Sequence, residues 1–387
     1  MSPSIHEQAR PAFLFCCQGR QPESPEGLMP APLLAPPDVI ALSFVPHLPR
    51  SAARSPAAFD RLEDILVAVG CRNVAGTAAA ARTRAMSAMT DAARRGMTAI
   101  AWGDERYPPQ LAEIVDPPLV LWARGAVDLL SQAQVAIVGS RAASPYGEEA
   151  AARLASDLVA CGLVVTSGLA RGIDAAAHRG ALSAGGPTVA VLGCGPDVVY
   201  PGEHVELLRD VAAAGAVVSE FPPGTPPLRH HFPMRNRIIS GLSLGVVVVE
   251  ASERSGSLIT ADCALEQGRE VMAVPGSVLS DRHRGSHRLL KAGAALVESA
   301  SDVLDALGLF LRPQAKAEVQ QPGGGGDEVP DALLAQLDPG EVRDLDGLAS
   351  SSGLDAASLL PRLLHLELHG LVRRLPGGRF VRSGGTC

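Results

Sequence analysis

The stretch Val135-Ala136-Ile137-Val138-Gly139-Ser140-Arg141 is an apolar run that ends abruptly in Gly-Ser-Arg. About four apolar residues stopped by a glycine read as the end of a parallel strand, buried on both faces. The Ala/Leu-rich stretch from Glu148 to Ala160 then reads as a helix. The turn between them leaves backbone N–H groups and a guanidinium where a phosphate can sit on a helix N-terminus. One such turn is a weak signal, and its weight comes from recurrence.

The same unit returns along the chain. Leu163–Thr166 runs into Ser167-Gly168-Leu169-Ala170-Arg171-Gly172 and a helical stretch through Ala181, and Thr188–Leu192 runs into Gly193-Cys194-Gly195. Ala216–Ser219 leads to the Pro-rich stretch Phe221–Pro227, and Gly245–Glu250 leads to Ser255-Gly256-Ser257 and the helical Leu258–Gln267. Glu270–Val274 leads to Pro275-Gly276-Ser277, and Ala294–Val297 closes the series. Strand starts recur roughly every 25 to 29 residues, the length of one strand-turn-helix unit. Right-handed crossovers then gather the Gly/Ser/Arg loops on the carboxyl edge of one sheet, where open α/β folds bind ligands. The expected fold is α/β: an extended Rossmann-like parallel sheet with helices on both faces, preceded by a small helical domain and followed by a winged-helix-like domain.

Composition bounds the function. The chain has 387 residues, 47% hydrophobic and only 3% aromatic, with a net charge of −7. A protein coated in positive field is excluded, and any base stacking must use very few rings. The charge is nevertheless uneven. Phe221 through Val249 contains no acid but carries Arg229, Arg235 and Arg237; Arg282 to Lys291 carries Arg282, Arg284, Arg288 and Lys291, again without an acid. Two basic loops on one sheet edge make a groove that can hold phosphates while the rest of the surface repels them. The cysteines Cys16, Cys17, Cys71, Cys161, Cys194, Cys263 and Cys387 are odd in number and lack a C-x-x-C pair. That usage fits reduced thiols in a cytoplasm, not a disulfide framework or a zinc site. No apolar stretch approaches the roughly 18 residues of a membrane span.

Residues 1–36 are rich in Pro, Gln and Ser and read as a disordered extension. Residues 37–99 read as a helical domain, and residues 100–310 as the sheet domain, with Ile100–Trp102 and Pro117–Trp122 as an extended lead into it. A linker at 311–330 contains four consecutive glycines. Residues 331–387 read as three helices (Asp331–Leu337, Leu345–Ser351, Asp355–His369) and a hairpin around Pro376-Gly377-Gly378, the order of a winged helix. With few positive charges on its third helix, that module can read DNA or bind protein.

Several motifs fail on inspection. Gly241-Leu242-Ser243-Leu244-Gly245 spells a nucleophile elbow, but a helix precedes it and a strand follows, the reverse of what the elbow requires. His365 and His369 are one helical turn apart, yet Leu366 stands where a metalloprotease needs Glu. No G-x-x-x-x-G-K-[ST] occurs, and Cys194 between two glycines reads as turn packing. No metal or cofactor is expected.

Taken in order, Tyr107-Pro108-Pro109-Gln110-Leu111, Asp116-Pro117-Pro118, Ala136-Ile137-Val138-Gly139-Ser140-Arg141, Ser167-Gly168-Leu169-Ala170-Arg171-Gly172-Ile173-Asp174, Phe232-Pro233-Met234-Arg235-Asn236-Arg237-Ile238-Ile239 and Ser255-Gly256-Ser257-Leu258-Ile259-Thr260-Ala261 form a pattern. It resembles the DNA-processing protein A (DprA/Smf) family over roughly residues 100–305. The resemblance implies an extended Rossmann fold that binds and protects single-stranded DNA without known catalysis. It also implies a homodimer that hands incoming strands to the RecA recombinase during natural transformation. Residues expected at the DNA are Gly139, Ser140 and Arg141; Gly168 and Arg171; Arg229, Phe232, Arg235, Asn236 and Arg237; Ser255 and Gly256; His287 and Lys291. Arg141 and Arg235 are expected as the principal anchors, both on the groove surface, and Phe232 as either a stacking ring or core packing.

Two departures stand out. Gly285-Ser286-His287 replaces the family's usual Gly-Cys/Ser-Asn, keeping a donor but losing the amide's dual capacity. Val45-Pro46-His47-Leu48-Pro49 lacks the glycines of a helix-hairpin-helix turn, which argues against DNA contact by the helical domain. A rival from another class stays open: a nucleotide-phosphate ribohydrolase-like enzyme acting on a nucleoside monophosphate. Those enzymes carry Pro-Gly-Gly-x-Gly-Thr-x-x-Glu where this chain has Ser255-Gly256-Ser257-Leu258-Ile259-Thr260-Ala261-Asp262, with Glu250 the other nearby carboxylate.

Overall fold

Residues 34–48 and 58–309 are described in the computed structural model, together with 342–352, 359, 362–363, 366, 372–375 and 379–382. The N-terminal extension up to residue 33, the linker, the helix expected at Asp331–Leu337, and His365 and His369 lie outside the described residues.

Helices α1 (Pro36–Leu42), α2 (Leu62–Ala68) and α3 (Val74–Arg94) come first, followed by β1 (Thr98–Ala101), α4 (Pro109–Ala112) and β2 (Val120–Gly125). The repeating part is β3 (Gln134–Val138), α5 (Pro145–Ala160), β4 (Val164–Ser167), α6 (Ile173–Ser183), β5 (Thr188–Val191), α7 (Val205–Ala214) and β6 (Ala216–Ser219). It continues through α8 (His231–Leu242), β7 (Gly245–Val248), α9 (Ser257–Glu266), β8 (Glu270–Ala273), α10 (Arg284–Lys291), β9 (Ala295–Leu296) and α11 (Ala300–Ala306). Among the described residues these strands form one nine-stranded sheet in the order β1-β2-β6-β5-β4-β3-β7-β8-β9. From β6 to β9 every neighbouring pair is parallel.

The parallel part follows from strands that are apolar on both faces. Ala136, Val138, Val246 and Val248 join one buried cluster, while Val135, Ile137, Val247 and Val249 join another on the opposite face. Alternate residues of each strand thus feed two cores, the period-2 signature of a doubly covered sheet. The expected lead turns out to be two further strands. β1 runs antiparallel to β2, and β2 antiparallel to β6, so the sheet is mixed at that edge. Trp122 decides this: its ring is fully buried, edge-on to Phe44 at 6.5 Å, and a ring that large needs a sheet face to cover it.

The first three helices pack at the β1–β2 end of the sheet, where Leu34, Val39, Leu62, Ile65 and Ala81 share one buried cluster with Leu121 and Trp122. Arg82 of α3 clamps them together, donating to Asp38 of α1 at 2.7 Å and to Glu63 of α2 at 2.6 Å. No helix among the described residues is long and apolar enough to cross a membrane.

The C-terminal unit, residues 314–387, is compact in itself. Its described part holds β10 (Val342–Asp344), α12 (Leu345–Ser352), β11 (Val372–Leu375) and β12 (Arg379–Arg382), with the sheet ordered β10-β12-β11. Leu348, Leu359, Leu363, Leu366, Val372 and Phe380 form its core.

His178 of α6 is fully buried against β4 and β5. Thr188 donates its hydroxyl to Val165 O at 2.7 Å, so it accepts from the His178 Nδ1–H at 2.7 Å, which leaves Nε2 bare. Burial pushes this imidazole down to about 3, with the nearby Arg235 guanidinium helping. The unfolded chain takes up a proton that the folded chain refuses, so stability is predicted to decline as pH falls from about 6.5 toward about 3. Urea unfolding across that window tests it. The decline is expected to be shallower in His178→Gln, and an identical pH profile in that variant would contradict the assignment.

Candidate nucleic-acid interface

The chain winds from β3 through β4 and β5 to β6, then crosses back to place β7 on the other side of β3. Two crossovers therefore part between β3 and β7, and the loops beyond their carboxyl ends border a crevice. Val249 N donates to Val138 O at 3.1 Å and Ser140 N to Glu250 O at 2.7 Å, so the two loops leave the sheet side by side. An open cleft of about 640 Å³ lies above them. Its walls include Gly139, Ser140, Arg141, Arg229, Phe232, Arg235, Asn236, Ser255 and Gly256 from the expected set.

Glu250 holds the Gly-Ser-Arg turn in place. Its side chain has no solvent exposure, and both carboxylate oxygens accept from Ser144 N at 3.2 Å while one also accepts from the Ser144 hydroxyl at 2.5 Å. Ser144 is at the same time the N-cap of α5, accepting from Gly147 N at 3.1 Å. A carboxylate at that helix start is favoured by the helix dipole. Arg282 completes the arrangement, 3.7 Å from Glu250 and bonded to Ala142 O within the turn. Sequence reasoning saw Glu250 only as a possible catalytic carboxylate. The missed signal was an acid ending a strand that is otherwise buried and apolar.

On the cleft surface, Arg141 is exposed with its guanidinium 5.4 Å from the centre of the Phe232 ring. Arg229 is exposed as well, and neither arginine has a carboxylate partner among the described residues. Phe232 is half-buried, its ring centre 5.3 Å from that of Tyr200, which is 43% exposed. The ring is therefore part of a cleft wall and not of the core. Tyr200 was not foreseen, because it ends a loop whose glycines drew attention to Cys194 instead.

Arg235 requires a correction, because its side chain is not on the groove surface. The residue is 4% exposed and forms the cleft floor, donating to Gly168 O at 2.6 Å and to Val191 O. Asp174 of α6 lies 3.9 Å away, and burial pushes its carboxyl up against the pull of the guanidinium. Gly168 is explained by the same contact: a Cβ there would stand 1.9 Å from the Arg235 guanidinium. Asn236 is buried beside it, accepting from Arg235 Nε at 3.1 Å and donating to Gly256 O at 3.4 Å, which ties α8 to the start of α9.

Other expected residues fall outside the cleft lining. Arg237 is paired with Asp116 at 3.1 Å and Glu220 at 2.7 Å. Both acids sit outside the acid-free window that made this arginine look free. Arg171 lines a small pocket that adjoins the cleft and shares Arg141, Tyr200 and Phe232 with it, but its guanidinium forms a two-pronged pair with Glu203, both contacts 2.6 Å. His287 meets Gly276 O at 3.1 Å, and Lys291 is exposed at the end of α10. The enzymatic reading is not favoured. Glu250 is fully buried and hydrogen-bonded, Asp262 is exposed on α9 away from the cleft lining, and Asp174 faces Arg235. Cys194 is buried, and burial pushes its thiol up to about 11, an inert state. α8 precedes Ser243 and β7 follows it, the reverse of the strand-to-helix order that a nucleophile elbow requires.

Removing the Arg235 side chain strands the buried Asp174 and three acceptors. Arg235→Ala is predicted to cost about 3–5 kcal/mol in urea unfolding, and Arg235→Met with Asp174→Leu should recover much of the loss. An unchanged midpoint in the single variant would show that the pair contributes nothing.

Residues 98–308 match the family DNA recombination-mediator protein A, and residues 313–378 match the DprA winged helix domain. The chain is 44% identical over 288 residues to protein Smf of Escherichia coli, covering 73% of this chain and 76% of that protein. It is 49% identical over 201 residues to DNA processing protein DprA of Streptococcus pneumoniae, covering 52% of this chain and 71% of that one. The solved structure of the Streptococcus pneumoniae protein superposes with a TM-score of 0.63 at 38% identity, covering 70% of this chain and 98% of that chain. DNA processing protein A from Helicobacter pylori, solved to describe its single-stranded DNA binding mode, gives a TM-score of 0.50 at 28% identity, covering 55% and 95%. The described carboxyl-edge architecture and these likenesses agree: the chain belongs to the DNA recombination-mediator protein A family, known as DprA or Smf.

Proposed function

We propose that this protein binds single-stranded DNA in the carboxyl-edge cleft, with phosphates on Arg141 and Arg229 and bases against Phe232 and Tyr200. The observation that carries the reading is charge placement. Arg235 and Asp174 neutralise each other in the floor, and two unpaired arginines stand on the rim beside paired rings. Phosphate contacts of that kind position a strand without reading its sequence, and exposed rings accept any base. Three helix starts, α5, α6 and α9, follow loops on this edge and add positive potential. Gly172, at φ +69°, opens α6 where a Cβ would stand 2.3 Å from Ser140 O, so the turn at the cleft stays closely packed.

Family membership and the single-stranded DNA binding of the Helicobacter pylori relative support the same reading. Within it, the protein works in the cytoplasm as a homodimer, protects incoming strands during DNA uptake and passes them to the RecA recombinase. No chemistry on the strand is needed for that role. Incubation with AMP is expected to release no adenine, and release would revive the ribohydrolase reading.

The binding site is tested by salt. Each lost phosphate contact to a single strand should flatten the slope of log affinity against log salt by roughly 0.7. Arg141→Ala and Arg229→Ala are each predicted to weaken oligonucleotides of any sequence and to flatten that slope, without lowering the melting temperature. Arg141→Lys should recover only part of the loss, since the charge is kept but not the planar fork. Wild-type affinity and slope in both alanine variants would remove the cleft as the site.

A further inference from the structure

We infer that the exposed flank of α3 is a second stretch of the single-stranded DNA path, continuous with the cleft, where Arg84 and Arg94 hold phosphates. The inference rests on the reading of the cleft as a single-strand site and lengthens it. From Ile65 to Thr90 the chain contains no acid. Arg82 in that stretch is neutralised by Asp38 and Glu63, and Arg95 just beyond it by Asp91 at 3.0 Å and Asp197 at 2.5 Å. Arg84 and Arg94 are exposed, and neither has a carboxylate partner among the described residues.

Both arginines line one open groove of about 640 Å³ whose far wall is Pro222-Pro223, in the loop after β6. The same loop carries Arg229 into the central cleft. The one acid in the groove wall among the described residues is Asp91, already paired with Arg95. The geometry between helix and loops is fixed by Asp197 in the loop after β5, which accepts from Arg95 on one side and from Gly224 N at 2.8 Å on the other. The last turn of α3 is therefore bolted to two carboxyl-edge loops.

Toward its start, α3 borders a second trough that shares Arg84 and Phe44 with the first. The half-buried Phe44 ring thus lies along both and offers a stacking face. With 21 residues, α3 spans roughly 30 Å of surface. A helix-hairpin-helix turn is absent from this part of the chain, but the flank of one long helix needs no such turn. A lone solvated helix face would not join the cleft through a shared loop. An acidic protein segment would suit two arginines equally, and continuity with the cleft is what favours a nucleic-acid strand.

The experiment compares full-length wild type, Arg84→Ala/Arg94→Ala and Arg141→Ala by fluorescence anisotropy with oligo(dT) of about 6 and about 20 nucleotides over a salt series. Both α3 arginines are exposed, so melting temperature is expected to be unchanged. Wild type should bind the longer strand more tightly. The α3 variant should bind the short strand as wild type does, lose roughly tenfold on the long one and flatten its salt slope by roughly 1.4, two contacts at 0.7 each. Arg141→Ala should weaken both lengths; if it weakens neither, the cleft reading fails by a separate result. Wild-type affinity for the long strand in the α3 variant, or an equal loss at both lengths, overturns the proposal. Loss of poly-glutamate binding with DNA binding intact overturns it too and assigns the groove to an acidic protein segment.

Discussion

The guanidinium of Arg235 lies beneath the cleft and binds the backbone ends of β4 and β5 while facing Asp174 at the start of α6. Through it α8 is joined to two strand ends and a second helix. Taking such a cation out of water is tolerable only because carbonyls and a carboxylate surround it. The consequence reaches the surface: with floor charge balanced, the field above the cleft comes from Arg141, Arg229 and the helix starts. Gly168 and Asn236 make sense only in relation to this group. One leaves space for the guanidinium, and the other relays its position to the turn before α9.

Glu250 does for the opposite wall what Asp174 does for the floor. A fully buried carboxylate at the end of β7 reaches across to the N-cap of α5 and fixes the backbone on which Ser140 and Arg141 ride. Two buried acids thus organise the cleft proposed here to take an anion. They can do so because each is consumed by protein donors, so neither repels a phosphate at the rim. An acidic protein can in this way present a locally positive cleft, and its affinity should respond strongly to salt.

The parallel strands were legible because they are short apolar runs repeated at an even spacing, and β3, β4 and β5 end just before Gly139, Gly168 and Gly193. Their carboxyl-edge loops followed from handedness alone, and with them most of the cleft wall. What could not be read was the pairing of individual charges. Arg237 looked free inside an acid-free window, yet Glu220 stands one residue before that window and Asp116 is far away in sequence. Arg235 looked like its neighbour, because helical phase relative to a sheet is not visible in a stretch of mixed polar residues. β1 and β2 were read as a lead because their strand character depends on covering Trp122, a tertiary fact. Tyr200 became visible only when Phe232 was found beside it.

The central claim is that single-stranded DNA lies in the cleft between the loops after β3 and β7. It is tested most directly by photocrosslinking full-length protein to oligo(dT) carrying scattered 5-iodouracil, with the attached peptides mapped by mass spectrometry. The account predicts attachment at Tyr200 and Phe232 and in the peptides around Ser140–Arg141 and Ser255–Ser257. Attachment confined to the amino edge of the sheet or to the C-terminal unit, with those peptides unmodified, would contradict it.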